Sequence, residues 1–175
     1  MNCGLPSTIS PASLLTLELL PLLRASAPAR VVYVASIGQH PLDFTDLMLT
    51  RGYSGTRAYG QSKLAQIMSG FELADRIAAT EVTVNSLHPA TYMPTKIVLA
   101  EVGSTIDTLD TGVAATYRLV SDSAVDGVTG QFFDKTQTAR AHRQAYDRKA
   151  RAQLWNRSLQ LTGERDIPAE PDGAG

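Results

Sequence analysis

Residues 31–35, Val-Val-Tyr-Val-Ala, constrain the fold of this chain more than any other stretch. The run is continuous, apolar and rich in β-branched residues. That pattern predicts a strand covered on both faces, which is the signature of a parallel sheet. A parallel neighbour must be reached by a crossover, usually a helix. Residues 82–88, Val-Thr-Val-Asn-Ser-Leu-His, predict that second strand. Between the two, over residues 56–79, Leu64, Ile67, Met68, Phe71 and Ala74 recur at helical spacing. The alternation of helix and strand therefore predicts an α/β fold with a mostly parallel sheet. Right-handed crossovers would lay helices on both of its faces.

The rest of the chain fits around that core. Residues 1–11 have no periodicity and carry Gly4, Pro6 and Pro11, so they read as an irregular leader. Residues 13–24 read as a helix, apolar nearly all round, with a bend at Pro21; such a helix is usually buried on two sides. Residues 37–56 form a long loop with a short helix expected around residues 44–49. A loop of that length in a compact domain is often functional. Its one histidine, His40, reads as solvated. Residues 97–105 read as irregular, with Gly103 as a breaker, and residues 109–120 as a helix capped by Asp107 or Thr108. A turn at residues 127–130, a short strand at 131–133 and a helix at 146–162 complete the domain, which spans residues 12–163. Arg140, Arg143, Arg148, Lys149 and Arg151 read as a solvated helix face, because acidic residues balance the total and no aromatic base-stacking series accompanies them. Residues 164–175 read as a disordered tail, rich in Pro and Gly from Ile167 onward.

Composition narrows the function. The 175 residues are 43% hydrophobic, enough for one compact domain. A formal net charge of -1 offers no electrostatic case for nucleic acid or an anionic membrane surface. The single cysteine, Cys3, rules out an intrachain disulfide and suits a reducing, cytoplasmic setting. No apolar run approaches the ~20 residues of a membrane span. Residues 14–23 resemble the apolar part of a signal peptide, but no Lys or Arg precedes them and Glu18 and Pro21 interrupt them. There is no metal-spaced Cys/His cluster and no Gly-x-Ser-x-Gly elbow, so no metal is expected.

The chemistry lies in Tyr59-Gly60-Gln61-Ser62-Lys63, at the start of the central helix. Four residues apart, Tyr59 and Lys63 share one helix face about a turn apart. An ammonium beside a phenol favours the phenolate, and a tyrosine so tuned can act as a general acid or base near neutral pH. Ser36 ends the first strand, and in open α/β sheets ligands bind beyond that edge. Taken together, Arg30-Val31-Val32-Tyr33-Val34-Ala35-Ser36, Ala58-Tyr59-Gly60-Gln61-Ser62-Lys63-Leu64-Ala65-Gln66 and Val82-Thr83-Val84-Asn85-Ser86-Leu87-His88-Pro89 resemble the short-chain dehydrogenase/reductase superfamily. The long loop and the His-Pro step look most like its retinol-dehydrogenase-like branch. The resemblance runs from about Leu14 to Gly163.

What the resemblance implies is specific. The fold would be part of a Rossmann-type, doubly wound parallel sheet. The activity would be interconversion of an alcohol and a carbonyl by hydride transfer with NAD or NADP. Tyr59 would be the proton donor or acceptor. Lys63 would tune it and hold the nicotinamide ribose, and Ser36 would hold the substrate oxygen. Pro89, Ala90 and Thr95 would line the cofactor; the family's usual Pro-Gly is Pro89-Ala90 here, and Thr95 sits one place later than the commonest spacing. Asn85 is expected to be structural. The substrate would be a small apolar alcohol or carbonyl compound. In the family the helix before the catalytic strand and the Tyr/Lys helix form a dimer interface, which implies a homo-oligomer or pairing with an intact relative.

One family signature is missing from these 175 residues. No Gly-x-x-x-Gly-x-Gly turn exists to bring backbone against a pyrophosphate at a helix N-terminus. No early strand ends in a residue that selects NAD or NADP. Thr8 stands where the resemblance places the family's asparagine. The expected chain therefore lacks the N-terminal βαβ units, roughly 100 residues at ~30 or more per unit. It is expected to be inactive alone, with one side of its first strand exposed. The alternative reading is a non-catalytic remnant that serves as an interaction or dimerisation module.

Overall fold

A computed structural model describes residues 11–163 together with 166 and 167; the expected leader over 1–11, apart from Pro11, which begins a helix, and most of the tail lie outside the described residues. The elements run α1 (Pro11–Ala25), β1 (Ala29–Val34), α2 (Gly55–Ala74), β2 (Val82–His88), α3 (Lys96–Glu101), α4 (Leu109–Ser121), β3 (Phe132–Asp134), β4 (Gln137–Ala139) and α5 (Arg148–Thr162). The sheet order is β1-β2-β3-β4. β1, β2 and β3 are parallel, and β4 returns antiparallel on β3. This is the expected α/β architecture, a Rossmann-type sheet with helices on both faces.

Alternation along β2 assigns the two faces. Val82 and Val84 pack with Tyr33, Leu73 and Trp155 under α1, α2 and α5. Leu87 packs with Ala115, Leu119 and Phe133 under α4. All seven residues of β2 are buried, as a central parallel strand requires. β1 has the open side expected of it. It is the edge of the described sheet, its residues are mostly half-buried, and Val34 is 46% exposed. α1 and α4 reach it from opposite faces, but none of the described strands pairs with its outer edge.

α1 is also covered on one side only. Thr16 and Leu20 are buried and Leu17 and Leu23 half-buried on the core, whereas Leu15, Leu19 and Leu22 are exposed. α2, by contrast, is buried around most of its circumference from Leu64 to Ala74. α5 of the same chain packs against it through Ala150, Leu154 and Trp155. Gly70 lets α2 close on the sheet: a Cβ there would sit 2.8 Å from the Tyr33 ring and 3.2 Å from Ser86 Oγ.

Four further boundaries differ from the sequence reading. No helix forms at residues 44–49. The Asp43 carboxylate accepts from Thr45, and Asp46 accepts from the Thr50 and Arg51 N–H groups, so side chains take the bonds a helix would use. The segment at 97–105 is not irregular throughout, because Thr95 caps the short helix α3. α2 stops at Ala74 rather than residue 79, and Ile77 turns back into the core. The tail is anchored at its start: Ile167 is buried, and the Asp166 carboxylate accepts from Arg76 and Trp155. The basic residues of the C-terminal region do not share one solvated face either. Arg151 is buried and bonds Asp75 at 2.5 Å, beside Glu72, and Arg140 precedes α5 altogether.

Candidate active site

Ser54 ends an extended segment and caps α2, its hydroxyl accepting from the Arg57 N–H at 3.2 Å. This start places Tyr59 in the second turn and Lys63 one turn further on, both directed to the C-terminal edge of β1. The Lys63 ammonium donates to the Val34 carbonyl at 3.1 Å, at the end of β1, and lies 5.7 Å from the Tyr59 ring centroid. Burial holds the Lys63 pKa below its usual value. Ser36 is buried two residues beyond the strand, and its hydroxyl accepts from the Gly38 N–H at 3.0 Å. A Cβ at Gly38 would lie 3.5 Å from Ser36 Oγ and 3.7 Å from Tyr59 Cε1, so the serine and the tyrosine flank one small residue. Tyr59 itself is half exposed.

Ser36, Tyr59 and Lys63 thus converge at one sheet edge from one helix and a loop. Pro89 and Ala90 follow β2 at the adjacent strand end, Ala90 buried towards α4 and near Gly112. Thr95 stands apart. It is exposed, its hydroxyl accepts from the Val98 N–H as the α3 cap, and it makes no hydrogen bond to the other three. Asn85 is tied on both ends of its amide, to the Val128 carbonyl at 2.7 Å and the Gln131 N–H at 3.1 Å, as a structural strand residue should be. His88 is buried, its Nε2 is 3.0 Å from Thr91 Oγ1, and burial pushes its pKa down.

Several supporting residues carry no sequence signal. Gln39 donates to the Ser36 carbonyl at 2.8 Å and accepts from the His142 N–H at 2.7 Å. Gln61, between Tyr59 and Lys63 in the chain, is 1% exposed and donates to the Pro41 carbonyl at 2.8 Å. His40, expected to be merely solvated, lays its ring on Gly60 and bonds the Gly60 carbonyl through its N–H at 3.1 Å. These contacts fasten the loop that carries Ser36 to the helix that carries Tyr59. Only a polar side chain at a buried helical position, as at Gln61, hints at this from sequence.

The segment after β2 is closed at its neck. The Asp107 carboxylate accepts from the Thr91 N–H at 2.7 Å and from Lys135 at 2.9 Å, and these bonds hold its pKa below the usual carboxylate range. Among the described residues, no three His, Cys, Asp or Glu side chains are grouped to hold a metal ion. No described helix is long and apolar enough to cross a membrane.

No family model matches the chain. Among curated proteins it is similar to retinol dehydrogenase 12 of Homo sapiens, 30% identical over 162 residues, covering 87% of this chain and 51% of that protein. Retinol dehydrogenase 14 of Homo sapiens is 32% identical over 170 residues, covering 86% and 49%. Retinol dehydrogenase 13 of Homo sapiens is 33% identical over 174 residues, covering 86% and 50%. The chain spans about half the length of these relatives, matching their C-terminal part. Among solved structures, carbonyl reductase Sniffer of D. melanogaster matches with a TM-score of 0.54 and 20% identity, over 75% of this chain and 52% of that one. An NADPH-bound carbonyl reductase from chicken fatty liver matches with a TM-score of 0.52 and 20% identity, over 81% and 60%.

Proposed function

Because this chain belongs to the short-chain dehydrogenase/reductase superfamily, matching the C-terminal part of its retinol-dehydrogenase-like branch, we propose that it carries the proton-transfer half of an NAD(P)-dependent oxidoreductase site. The observation that carries the reading is the convergence of Ser36, Tyr59 and Lys63 at the C-terminal end of β1. Ligands bind beyond that edge in sheets of this kind.

The residues present fit the nicotinamide end of a dinucleotide. Lys63 presents an ammonium at the strand edge, with one donor committed to Val34 and others left for a ribose. Pro89 and Ala90 would wall the ring, and Thr95 stands at the mouth. The pyrophosphate has no such fit in these residues, since the glycine turn is not in the sequence. A bound nicotinamide would supply or accept the hydride. The chain's own groups then handle the oxygen. Ser36 Oγ donates a hydrogen bond to it as charge develops, and Tyr59 Oη gives up or takes the proton. Lys63 holds its charge beside the tyrosine throughout. The names of the relatives and structural neighbours support a small apolar alcohol or carbonyl substrate. The single cysteine supports a cytoplasmic setting, and residues 12–163 serve as one domain.

A second reading, an interaction module that pairs with a copy of itself or an intact relative, is favoured by the exposed row Leu15, Leu19 and Leu22 on α1. One experiment separates the two. The chain is joined to the N-terminal half of a retinol dehydrogenase relative and assayed for NADPH-dependent reduction of apolar aldehydes. Turnover is expected, and Tyr59→Phe should lower kcat by roughly 10²–10⁴-fold, as loss of a positioned proton donor does. A folded chimera that pairs but turns nothing over, or a Tyr59→Phe chimera with unchanged kcat, would sink the oxidoreductase reading.

A further inference from the structure

Beside the candidate site lies an open cleft of about 250 Å³, lined by Ile37, Gln39, Phe132, Arg140, Ala141 and His142. Its walls divide cleanly. Ile37, Phe132 and Ala141 are apolar. The uncommitted polar side-chain atoms are donors. Gln39 already spends its amide on Ser36 and His142. The His142 ring accepts from the Gln144 N–H through Nδ1 at 3.2 Å. A ring that accepts at Nδ1 carries its proton on Nε2, so Nε2–H is a donor. Arg140 holds five donors and no acceptor. Its guanidinium rests over the Tyr146 ring, 5.5 Å from the centroid, and forms no ion pair or hydrogen bond among the described residues. No acidic side chain lines the cleft. After burial, Arg143 and then His40 push the His142 pKa down.

We infer that this cleft binds the carboxylate of an otherwise apolar small molecule, with Arg140 and His142 holding the anion and Ile37, Phe132 and Ala141 its hydrocarbon. A planar guanidinium beside a second N–H donor matches a planar carboxylate, and the apolar walls match a short hydrocarbon chain. Gln39 lines the cleft and bonds Ser36, so the cleft adjoins the candidate active site. In treating that ligand as substrate the inference rests on the oxidoreductase reading; the binding itself does not.

The test uses the 175-residue chain, with hexanoate, 1-hexanol and inorganic phosphate titrated near neutral pH. Binding is followed by NMR at the Arg140 Nε–H and the His142 ring. Hexanoate should shift both saturably and bind at least about tenfold more tightly than hexanol, because its hydrogen bonds are charge-assisted. Arg140→Met should weaken hexanoate by about tenfold or more, and Arg140→Lys by less, with hexanol unaffected by either. Equal affinity for hexanoate and hexanol, or undiminished hexanoate binding by Arg140→Met, overturns the inference. Phosphate binding more tightly than hexanoate overturns the carboxylate assignment. Should Arg140→Met lose its fold along with the Tyr146 contact, the wild-type ratio of hexanoate to hexanol decides alone. Hexanoate binding by a chain whose chimera has no turnover supports the cleft and counts only against the oxidoreductase reading.

Discussion

Gly60 follows Tyr59 directly, and no larger residue fits beneath His40. A Cβ there would overlap the imidazole, lying 2.8 Å from Cγ and 3.0 Å from the His40 Cβ. Two effects oppose each other in Gly60→Ala. Alanine gains about 1 kcal/mol of helix propensity over glycine, and overpacking costs about 1–3 kcal/mol. Overpacking wins, because the overlap reaches the root of the His40 side chain and not only its tip. The His40 backbone is also held by its bond to the Gly60 carbonyl. Thermal unfolding should show a net loss of roughly 1–2 kcal/mol, with His40 resonances displaced. An unchanged or raised Tm with His40 still seated would show that the loop yields freely. The residues proposed to carry the chemistry were legible in sequence, whereas those that hold them were not. Tyr59 and Lys63 announce themselves by spacing within one helix, and Ser36 by its place at a strand end. Gln39, His40 and Gln61 act on partners supplied by tertiary folding, and no local pattern encodes that.

At the scale of elements, the segment between β2 and α4 hangs from a neck made by Thr91, Asp107 and Lys135. The Ile106 and Asp107 N–H groups donate to the Tyr92 and Thr91 carbonyls at 3.2 and 3.0 Å, closing the backbone at the same point. Asp107 titrates below its unfolded value, with the Lys135 bond the largest cause and the Thr91 N–H the next. A carboxylate with a depressed folded pKa contributes fully above the unfolded pKa, about 4, and loses that contribution as pH falls through its folded pKa. Hydrogen exchange should therefore find the Ile106 and Asp107 amides protected at about pH 5 and opening towards about pH 3, before the amides of β2. Asp107→Asn should exchange rapidly at both. If the variant keeps wild-type protection, the carboxylate is not what closes the neck. The same segment shows where sequence patterns stop. β2 and α4 were legible because burial sets a long run of residues at a fixed period. α3, with none of its six residues buried, has no such period, and only the Thr95 cap creates it. The Asp43 and Asp46 turns likewise replaced an expected helix through side-chain bonds. β4 is three residues long and exists by pairing with β3, so it left no pattern of its own.

Among the described residues, one side of the molecule is uncovered. β1 ends the described sheet with a row of backbone groups that no strand pairs. α1 and α4, which flank it on opposite faces, carry uncovered apolar rows at Leu15, Leu19 and Leu22, and at Leu109, Val113, Tyr117 and Val120. The retinol dehydrogenase relatives are about twice as long as this chain. Ser36, Tyr59 and Lys63 lie at the end of the same strand, so the candidate site opens onto this side too. A dinucleotide draws much of its affinity from a pyrophosphate at a glycine-lined helix N-terminus and from an adenosine pocket. The residues proposed to meet a dinucleotide, Tyr59, Lys63, Pro89, Ala90 and the more distant Thr95, would contact its nicotinamide end. One ammonium and a half-exposed phenol on an open surface replace hydration with few new bonds, and the ordering of a long flexible ligand opposes binding. This 175-residue chain should therefore show no saturable binding of NADH or NADPH, and no dehydrogenase activity, when titrated alone and followed by cofactor fluorescence. The chimera with the N-terminal half of a relative should bind in the micromolar range under the same conditions. Micromolar binding by the 175 residues alone would mean that the pyrophosphate is held without a glycine turn. The phosphate-binding groups would then have to be sought among the residues at the open edge of β1.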